Sequence, residues 1–156
     1  MNTSAYVYLV KILSSRDYSE YNLRQKLKDK IYSIDEIENA IFEIKSKGYL
    51  REDLYACSRI KIFMEKGYSP EYILQKMEQE NITICIENIN AVFTEYRISQ
   101  EDQIERLVRK KMQDKSDFDI KSENKILRYL ISKGHDFSLA KKIMTNIMEE
   151  AHSLQY

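Results

Sequence analysis

The sequence predicts an all-α protein: an elongated array of three tandem three-helix repeats, over residues 1–50, 51–98 and 99–156. Three observations carry that prediction. Residues 18–27, Tyr-Ser-Glu-Tyr-Asn-Leu-Arg-Gln-Lys-Leu, return at residues 68–77 as Tyr-Ser-Pro-Glu-Tyr-Ile-Leu-Gln-Lys-Met. Tyr18/Tyr68, Ser19/Ser69, Gln25/Gln75 and Lys26/Lys76 are identical, and Leu23/Ile73 and Leu27/Met77 exchange like for like, so a structural module is duplicated. Only three glycines and one proline punctuate 156 residues, far fewer turn residues than an all-β chain requires. Apolar residues recur at three- and four-residue steps, which places them on one face of a helix.

Each element follows from local signals. The first helix is expected from about Thr3 to Ser14, with Tyr6, Leu9, Val10 and Leu13 on its inner face. Ser19 caps the second, its hydroxyl accepting an early backbone N–H; Leu23 and Leu27 face inward, and the helix ends near Asp29 to Ile31. Ser33 precedes a third helix with Ile34, Ile37, Ile41 and Ile44, stopped by Gly48 in a left-handed conformation. In the second repeat, Asp53 or a nearby acid starts a helix carrying Tyr55, Ala56, Ile60 and Phe63, closed by Lys66-Gly67. Ser69 caps the next, with Pro70 at the first helical position, where its missing N–H costs nothing.

Ile82, Ile84 and Ile86 alternate as a strand would. Continuing to Ile89, Phe93 and Tyr96 restores the helical period. Setting Ile34/Ile86, Ile37/Ile89 and Ile41/Phe93 side by side favours a helix. In the third repeat Ser99 caps a helix carrying Ile104, Leu107, Val108 and Met112, followed by a polar break from Gln113 to Asp119. Ile126, Leu127, Leu130 and Ile131 mark the next helix, closed by Lys133-Gly134. Ala140, Ile143, Met144, Ile147 and Met148 mark the last. Tyr18 and Tyr68, each just before a serine cap, are expected to pack back onto their helices as hydrophobic staples.

The chemistry is that of a binding protein. Gly48, Gly67 and Gly134 stand alone at helix ends, so no glycine-rich loop cradles a phosphate. His135 and His152 have no Cys or second His at ligand spacing, and a surface or capping role is the expectation for both. No catalytic residue, cofactor or metal is expected. Cys57 and Cys85 form no Cys-x-x-Cys pattern and read as free thiols of a cytoplasmic protein. The apolar stretch Ala5 to Leu13 is too short for a membrane span. With 25 basic and 25 acidic side chains the net charge is zero, which disfavours strong nonspecific DNA binding.

Two basic faces remain as candidate contacts. Arg24 and Lys28 lie one turn apart on the second helix, with Lys26 and Lys30 nearby. Arg106, Arg109 and Lys110 share a face of the seventh, opposite Ile104, Leu107 and Met112. A solvated surface paired with local acids such as Glu105 is the plainer reading of each. Two on one array favour an anionic or filament-like partner.

The stretch Gly48-Tyr49-Leu50-Arg51-Glu52-Asp53-Leu54-Tyr55-Ala56, followed by Lys66-Gly67-Tyr68-Ser69-Pro70 and Ile73, resembles the RecX family, bacterial regulators of RecA recombinase. Tyr18-Ser19 with Leu23-Arg24 and Lys26-Leu27 is similar to that family's opening motif, and the order and spacing agree over nearly the whole chain. Ser69 stands where the family has a second glycine, and Phe63 and Glu65 where arginines are frequent. The resemblance implies three tandem three-helix repeats and a non-enzymatic modulator lodged in the groove of the RecA filament on single-stranded DNA. It would restrain ATP hydrolysis, strand exchange and the co-protease activity behind the SOS response, and so act in recombination and DNA repair. A monomer contacting RecA through Arg24, Lys26, Lys28, Arg106, Arg109 and Lys110, with a weak direct DNA contact, is the leading expectation. The alternatives are a small helical DNA-binding protein with helix-turn-helix-like modules, and a helical scaffold for another partner.

Overall fold

Serine hydroxyls and acidic side chains start most of the helices, because the first amides of a helix have no carbonyl one turn back to bond. The computed structural model describes residues 4–113 and 119–154, and among these the chain forms nine α-helices and no strand. They are α1 (Ala5–Leu13), α2 (Glu20–Asp29), α3 (Ile34–Ser46), α4 (Glu52–Glu65), α5 (Pro70–Gln79), α6 (Ile86–Glu95), α7 (Gln100–Gln113), α8 (Ile120–Ser132) and α9 (Phe137–Ser153).

The predicted caps are in place. Ser19 Oγ accepts from Asn22 N at 3.1 Å, Ser69 Oγ from Tyr72 N at 3.2 Å, and Ser99 Oγ from Asp102 N at 3.0 Å. Ser33 forms a capping box: its hydroxyl accepts from Glu36 N at 3.2 Å, and Glu36 Oε2 accepts from Ser33 N at 2.7 Å. α4 begins at Glu52, an acid beside Asp53, as expected. Two further caps were not named from the sequence: Ser4 caps α1, and Asp119, where the polar break ends, caps α8, accepting from Ser122 N at 2.9 Å. The expected polar break falls mostly on residues 114–118, outside the described residues.

Six helices share one stop. The residue past the helix takes a left-handed backbone: Ile31 (φ 64°), Gly48 (72°), Gly67 (88°), Asn81 (58°), Arg97 (55°) and Gly134 (88°). The amide after it donates to a carbonyl five residues back: Tyr32 to Leu27 (3.2 Å), Tyr49 to Ile44 (2.9 Å), Tyr68 to Phe63 (3.1 Å), Ile82 to Met77 (2.9 Å), Ile98 to Phe93 (3.0 Å) and His135 to Leu130 (3.2 Å). This is the Schellman arrangement, in which the residue after the left-handed one folds its side chain back onto the helix. Three of the twelve tyrosines occupy that position, which accounts for part of the tyrosine content. A ring there packs against the helix while its hydroxyl stays wet.

The chain divides into two compact units, residues 1–59 with 77–83, and residues 60–76 with 84–156, with α4 and α5 each running from one into the other. In the first, α1 and α2 pack on α3 around Ala5, Leu9, Leu23, Leu27, Ile37, Ala40, Ile41 and Ile44. Tyr18 is buried in that core beside the α2 leucines, as a staple requires. In the second, α7, α8 and α9 close on Ile104, Leu107, Val108, Ile126, Leu127, Leu130, Ala140, Met144 and Ile147. Fully buried side chains such as Leu23 and Leu130 each contribute about 2 kcal/mol of transfer free energy. α6 is helical, as the repeat alignment predicted, and buries Ile89, Val92 and Phe93.

Candidate interaction surface

The sequence-predicted arginines are bound within the fold. Arg24, half-buried on α2, donates through Nε and Nη2 to Glu20 Oε1 at 3.1 and 3.0 Å and through Nη1 to Glu38 Oε1 at 2.5 Å. It thereby ties α2 to α3. Lys45 reaches the other oxygen of Glu20 at 2.6 Å. Partial burial pushes the Glu20 carboxyl up, but the hydrogen bonds from Lys45 and Arg24 outweigh it and leave it below the ordinary carboxylate range. Lys26 stands 5.3 Å over the Tyr18 ring, with Arg16 at 4.5 Å from the same ring. Lys28 is exposed in the last turn of α2, where a cation complements the helix dipole.

Arg106 performs a different task. Five consecutive carbonyls at the end of α4 and in the turn after it, residues 64–68, accept side-chain hydrogen bonds from α7 and the α8–α9 turn. Gln103 Nε2 donates to Met64 O at 3.0 Å and Tyr68 O at 2.9 Å, and Arg106 Nη2 to Glu65 O at 2.5 Å. Lys133 Nζ donates to Lys66 O at 3.0 Å, and His135 Nε2 lies 2.7 Å from Gly67 O, so Nε2 carries the proton. The last carbonyls of a helix lack intrahelical donors, and these four side chains supply them. His135 therefore has the capping role expected of it, but buried, with Nδ1 and Gln103 Oε1 unpartnered in the interior. Burial pushes the imidazole down and neighbouring Lys133 adds to this, while the Gly67 bond and Glu71 pull the other way. Arg109 pairs with Glu105 and Glu150, both at 3.0 Å, and Lys110 is exposed beside it.

The cations available to a partner lie elsewhere. Lys121, Lys125 and Arg128 are exposed at i, i+4 and i+7 on α8, opposite Ile126, Leu127 and Leu130. Among the described residues none of the three forms an ion pair. In the sequence this helix was marked only by its apolar residues Ile126, Leu127, Leu130 and Ile131, so the cations on its other face went unread. Asp119, an N-cap type three residues before Ser122, was the available signal.

Beside the stripe runs a ladder of alternating lysines and tyrosines. Lys76 stands 5.3 Å from the Tyr72 ring centre, and Tyr72 stacks on Tyr68 at 4.8 Å with the planes 9° apart. Lys133 lies 4.1 Å over Tyr68 and 5.3 Å from Tyr129, which Lys111 covers at 4.6 Å. Each ring face holds its ammonium by cation–π attraction of about 0.5–1 kcal/mol. The rings thus fix the charges in place, and the faces of Tyr68 are occupied rather than offered to a ligand. Among the described residues no His, Cys, Asp or Glu group is arranged to hold a metal, and no helix is long and apolar enough to cross a membrane. Cys57 and Cys85 are free and exposed.

Known proteins resemble this chain in sequence and in fold. The family described as RecX, first three-helix domain, covers residues 5–42, which span α1, α2 and most of α3. The regulatory protein RecX of Haemophilus ducreyi is 34% identical over 127 residues, covering 81% of this chain and 82% of that protein. That of Haemophilus influenzae is 30% identical over 135 residues, covering 86% and 88%. Among solved structures, a regulatory protein RecX superposes with a TM-score of 0.70 at 20% identity, covering 89% of this chain and 69% of that one. RecX from Lactobacillus salivarius superposes with a TM-score of 0.68 at 20% identity, covering 91% and 93%. The shared first three-helix domain, the identity along most of both chains and the common all-α fold place this chain in the RecX family of regulatory proteins.

Proposed function

We propose that this protein acts by binding alone, as a regulator of the RecA filament on single-stranded DNA, restraining its ATPase, strand-exchange and co-protease activities in the cytoplasm. Membership of the RecX family supports the target. The observation that carries the contact is the exposed, unpaired row Lys121, Lys125 and Arg128 on α8, adjoining the lysine–tyrosine ladder. A nucleoprotein filament presents phosphates and acidic side chains, and cations already free of internal partners meet them at the least desolvation cost. Lys28 and Lys110, the exposed members of the sequence-predicted set, each offer the filament a further cation. Arg24, Arg106 and Arg109 serve it indirectly by bracing helices, and Lys26 by its place on Tyr18. The organisation as repeats 1–50, 51–98 and 99–156 belongs to the same proposal.

The experiment is DNA-dependent ATP hydrolysis by RecA from the same source. The wild-type protein slows it, and Lys121→Glu/Lys125→Glu/Arg128→Glu loses at least tenfold in potency while keeping its helical circular dichroism. No slowing at excess protein over filament removes the target. Full potency in the triple variant removes the face. The lysine ladder favours a second reading, direct binding of single-stranded DNA. Affinity for an oligonucleotide without RecA that falls steeply with salt would favour that reading.

A further inference from the structure

Lys121, Lys125, Tyr129 and Lys133 follow one another at four-residue steps, so they form one ridge along α8, with Lys133 at its C-cap. A tyrosine thus stands where that spacing would place a third lysine. Its ring gathers a cation from the neighbouring helix instead. Lys111, exposed in the last turn of α7, lies 4.6 Å over the Tyr129 ring, and among the described residues that ring is its only partner. Lys133 lies 5.3 Å from the same ring but is also held by Tyr68 and by Lys66 O, so it keeps its place without Tyr129. Tyr129 is half-buried and packs against the α7–α9 core. A leucine would serve that packing equally; holding an ammonium takes the negative face of an aromatic ring.

We propose that Tyr129 is a positioning residue for the filament contact: it keeps Lys111 beside the Lys121, Lys125 and Arg128 row, so that the basic patch spans α7 and α8 rather than α8 alone. This role rests on the filament reading, to which it adds a residue without charge of its own. A free lysine side chain loses rotamer freedom when it meets an anion, and one already seated on a ring has lost part of it beforehand. The ammonium has three N–H donors, so the side turned away from the ring stays open to a phosphate or a carboxylate. The Tyr129 hydroxyl bonds nothing among the described residues, which leaves the ring as the part that acts. Tyr129 thus contributes about fivefold in affinity, and it does so through Lys111.

DNA-dependent ATP hydrolysis by RecA, with the full chain as inhibitor, tests this role. Tyr129→Phe keeps the ring and matches the wild type in potency. Tyr129→Leu keeps the packing and is about fivefold less potent, while its helical circular dichroism is unchanged. Tyr129→Met, equally apolar and more adaptable, shows the same loss should leucine disturb the core. Lys111→Gln loses at least as much, and adding Tyr129→Leu to it costs nothing more, because the two residues act as one unit. A tyrosine that only packed the core would give neither that non-additivity nor the phenylalanine rescue. Full potency in both Tyr129→Leu and Tyr129→Met overturns the proposal while the filament reading stands. So does an equal loss in Tyr129→Phe, or losses that multiply in the double variant. A wild-type protein that does not slow hydrolysis removes the filament reading and this role with it.

Discussion

The first and last helix triplets, α1–α3 and α7–α9, close similar apolar cores by different polar means. Around α1–α3 the fastening is side chain to side chain: Arg24 holds Glu20 and Glu38, and Lys45 holds Glu20, all partly in solvent. Around α7–α9 the polar side chains instead reach backbone, and Gln103, Arg106, Lys133 and His135 satisfy the carbonyls that α4 leaves open. The second helix of each triplet ends in the same hydrogen-bond pattern, yet Ile31 makes the turn in one and Gly134 in the other. Ile31 is 91% exposed, whereas a Cβ on Gly134 would stand 2.6 Å from Tyr72 Cβ. An open turn tolerates backbone strain, and a packed one requires glycine.

The largest effect expected from that difference is at Gly134. Gly134→Ala puts a side chain on a left-handed backbone, costing about 1–2 kcal/mol, and drives it into Tyr72, which adds about 1–3 kcal/mol of overpacking. Gly48→Ala meets nothing within 4 Å at φ 72°, so only the strain remains, about 1 kcal/mol. Urea unfolding of both variants should separate them by about 2 kcal/mol at unchanged m-value. Equal losses would mean that packing does not distinguish the two turns.

Next comes the carbonyl clamp. Gln103→Leu keeps bulk but removes both donors, leaving Met64 and Tyr68 carbonyls without their side-chain partner at a cost of about 2 kcal/mol. Amide exchange should accelerate from Gly67 to Ile73 more than in α9. Uniform acceleration would show that Gln103 serves the core as a whole and not the turn. An exposed pair such as Arg109–Glu105 gives less, because water and salt screen it.

His135 adds a pH dependence near neutrality, whereas the lowered Glu20 carboxyl of the first triplet acts only in more acid solution. Burial lowers its pKa below the ordinary 6.5, so the unfolded chain takes up the proton before the folded one does. Stability is therefore full above about pH 6.5 and falls as the pH drops below it, toward the lowered folded-state value. His135→Gln keeps a donor for Gly67 O without a titrating ring, and its stability should stay flat between about pH 7 and 5.5 relative to the wild type. An identical slope in both proteins would assign the acid sensitivity to carboxylates.

Much of this architecture is legible in sequence because its signals are local. Ser19, Ser33, Ser69 and Ser99 announce caps, and Gly48, Gly67 and Gly134 announce stops, since each acts within a turn of its own position. Ile31 and Arg97 make the same stop with no sequence signature, because those residues rarely adopt a left-handed backbone, whereas Asn81 is a residue type that does. Glu105, one turn from Arg109, was foreseen as its partner. Glu38, Glu150 and the Glu65 carbonyl were not, because tertiary packing brings them to arginines 14 to 41 residues away. A charged residue's availability depends on such neighbours, so the basic face read from sequence and the face left unpaired in the fold differ.

The smallest effect runs the other way and gives the sharpest form of the comparison. Ile31 holds φ at 64°, which a β-branched side chain adopts only under strain, and its near-complete exposure means that little burial repays it. Ile31→Asn keeps the turn with a residue that tolerates this backbone, as Asn81 does at the corresponding end of α5, and should stabilise by about 1 kcal/mol. Ile31→Gly should gain somewhat less, because glycine also adds about 0.4–1 kcal/mol of unfolded-state entropy to be lost. The ordering Asn, then Gly, then Ile is the specific expectation for the urea midpoints. If both replacements destabilise, the isoleucine contributes burial that outweighs its strain, and the α2 turn is no more open than the turn at Gly134.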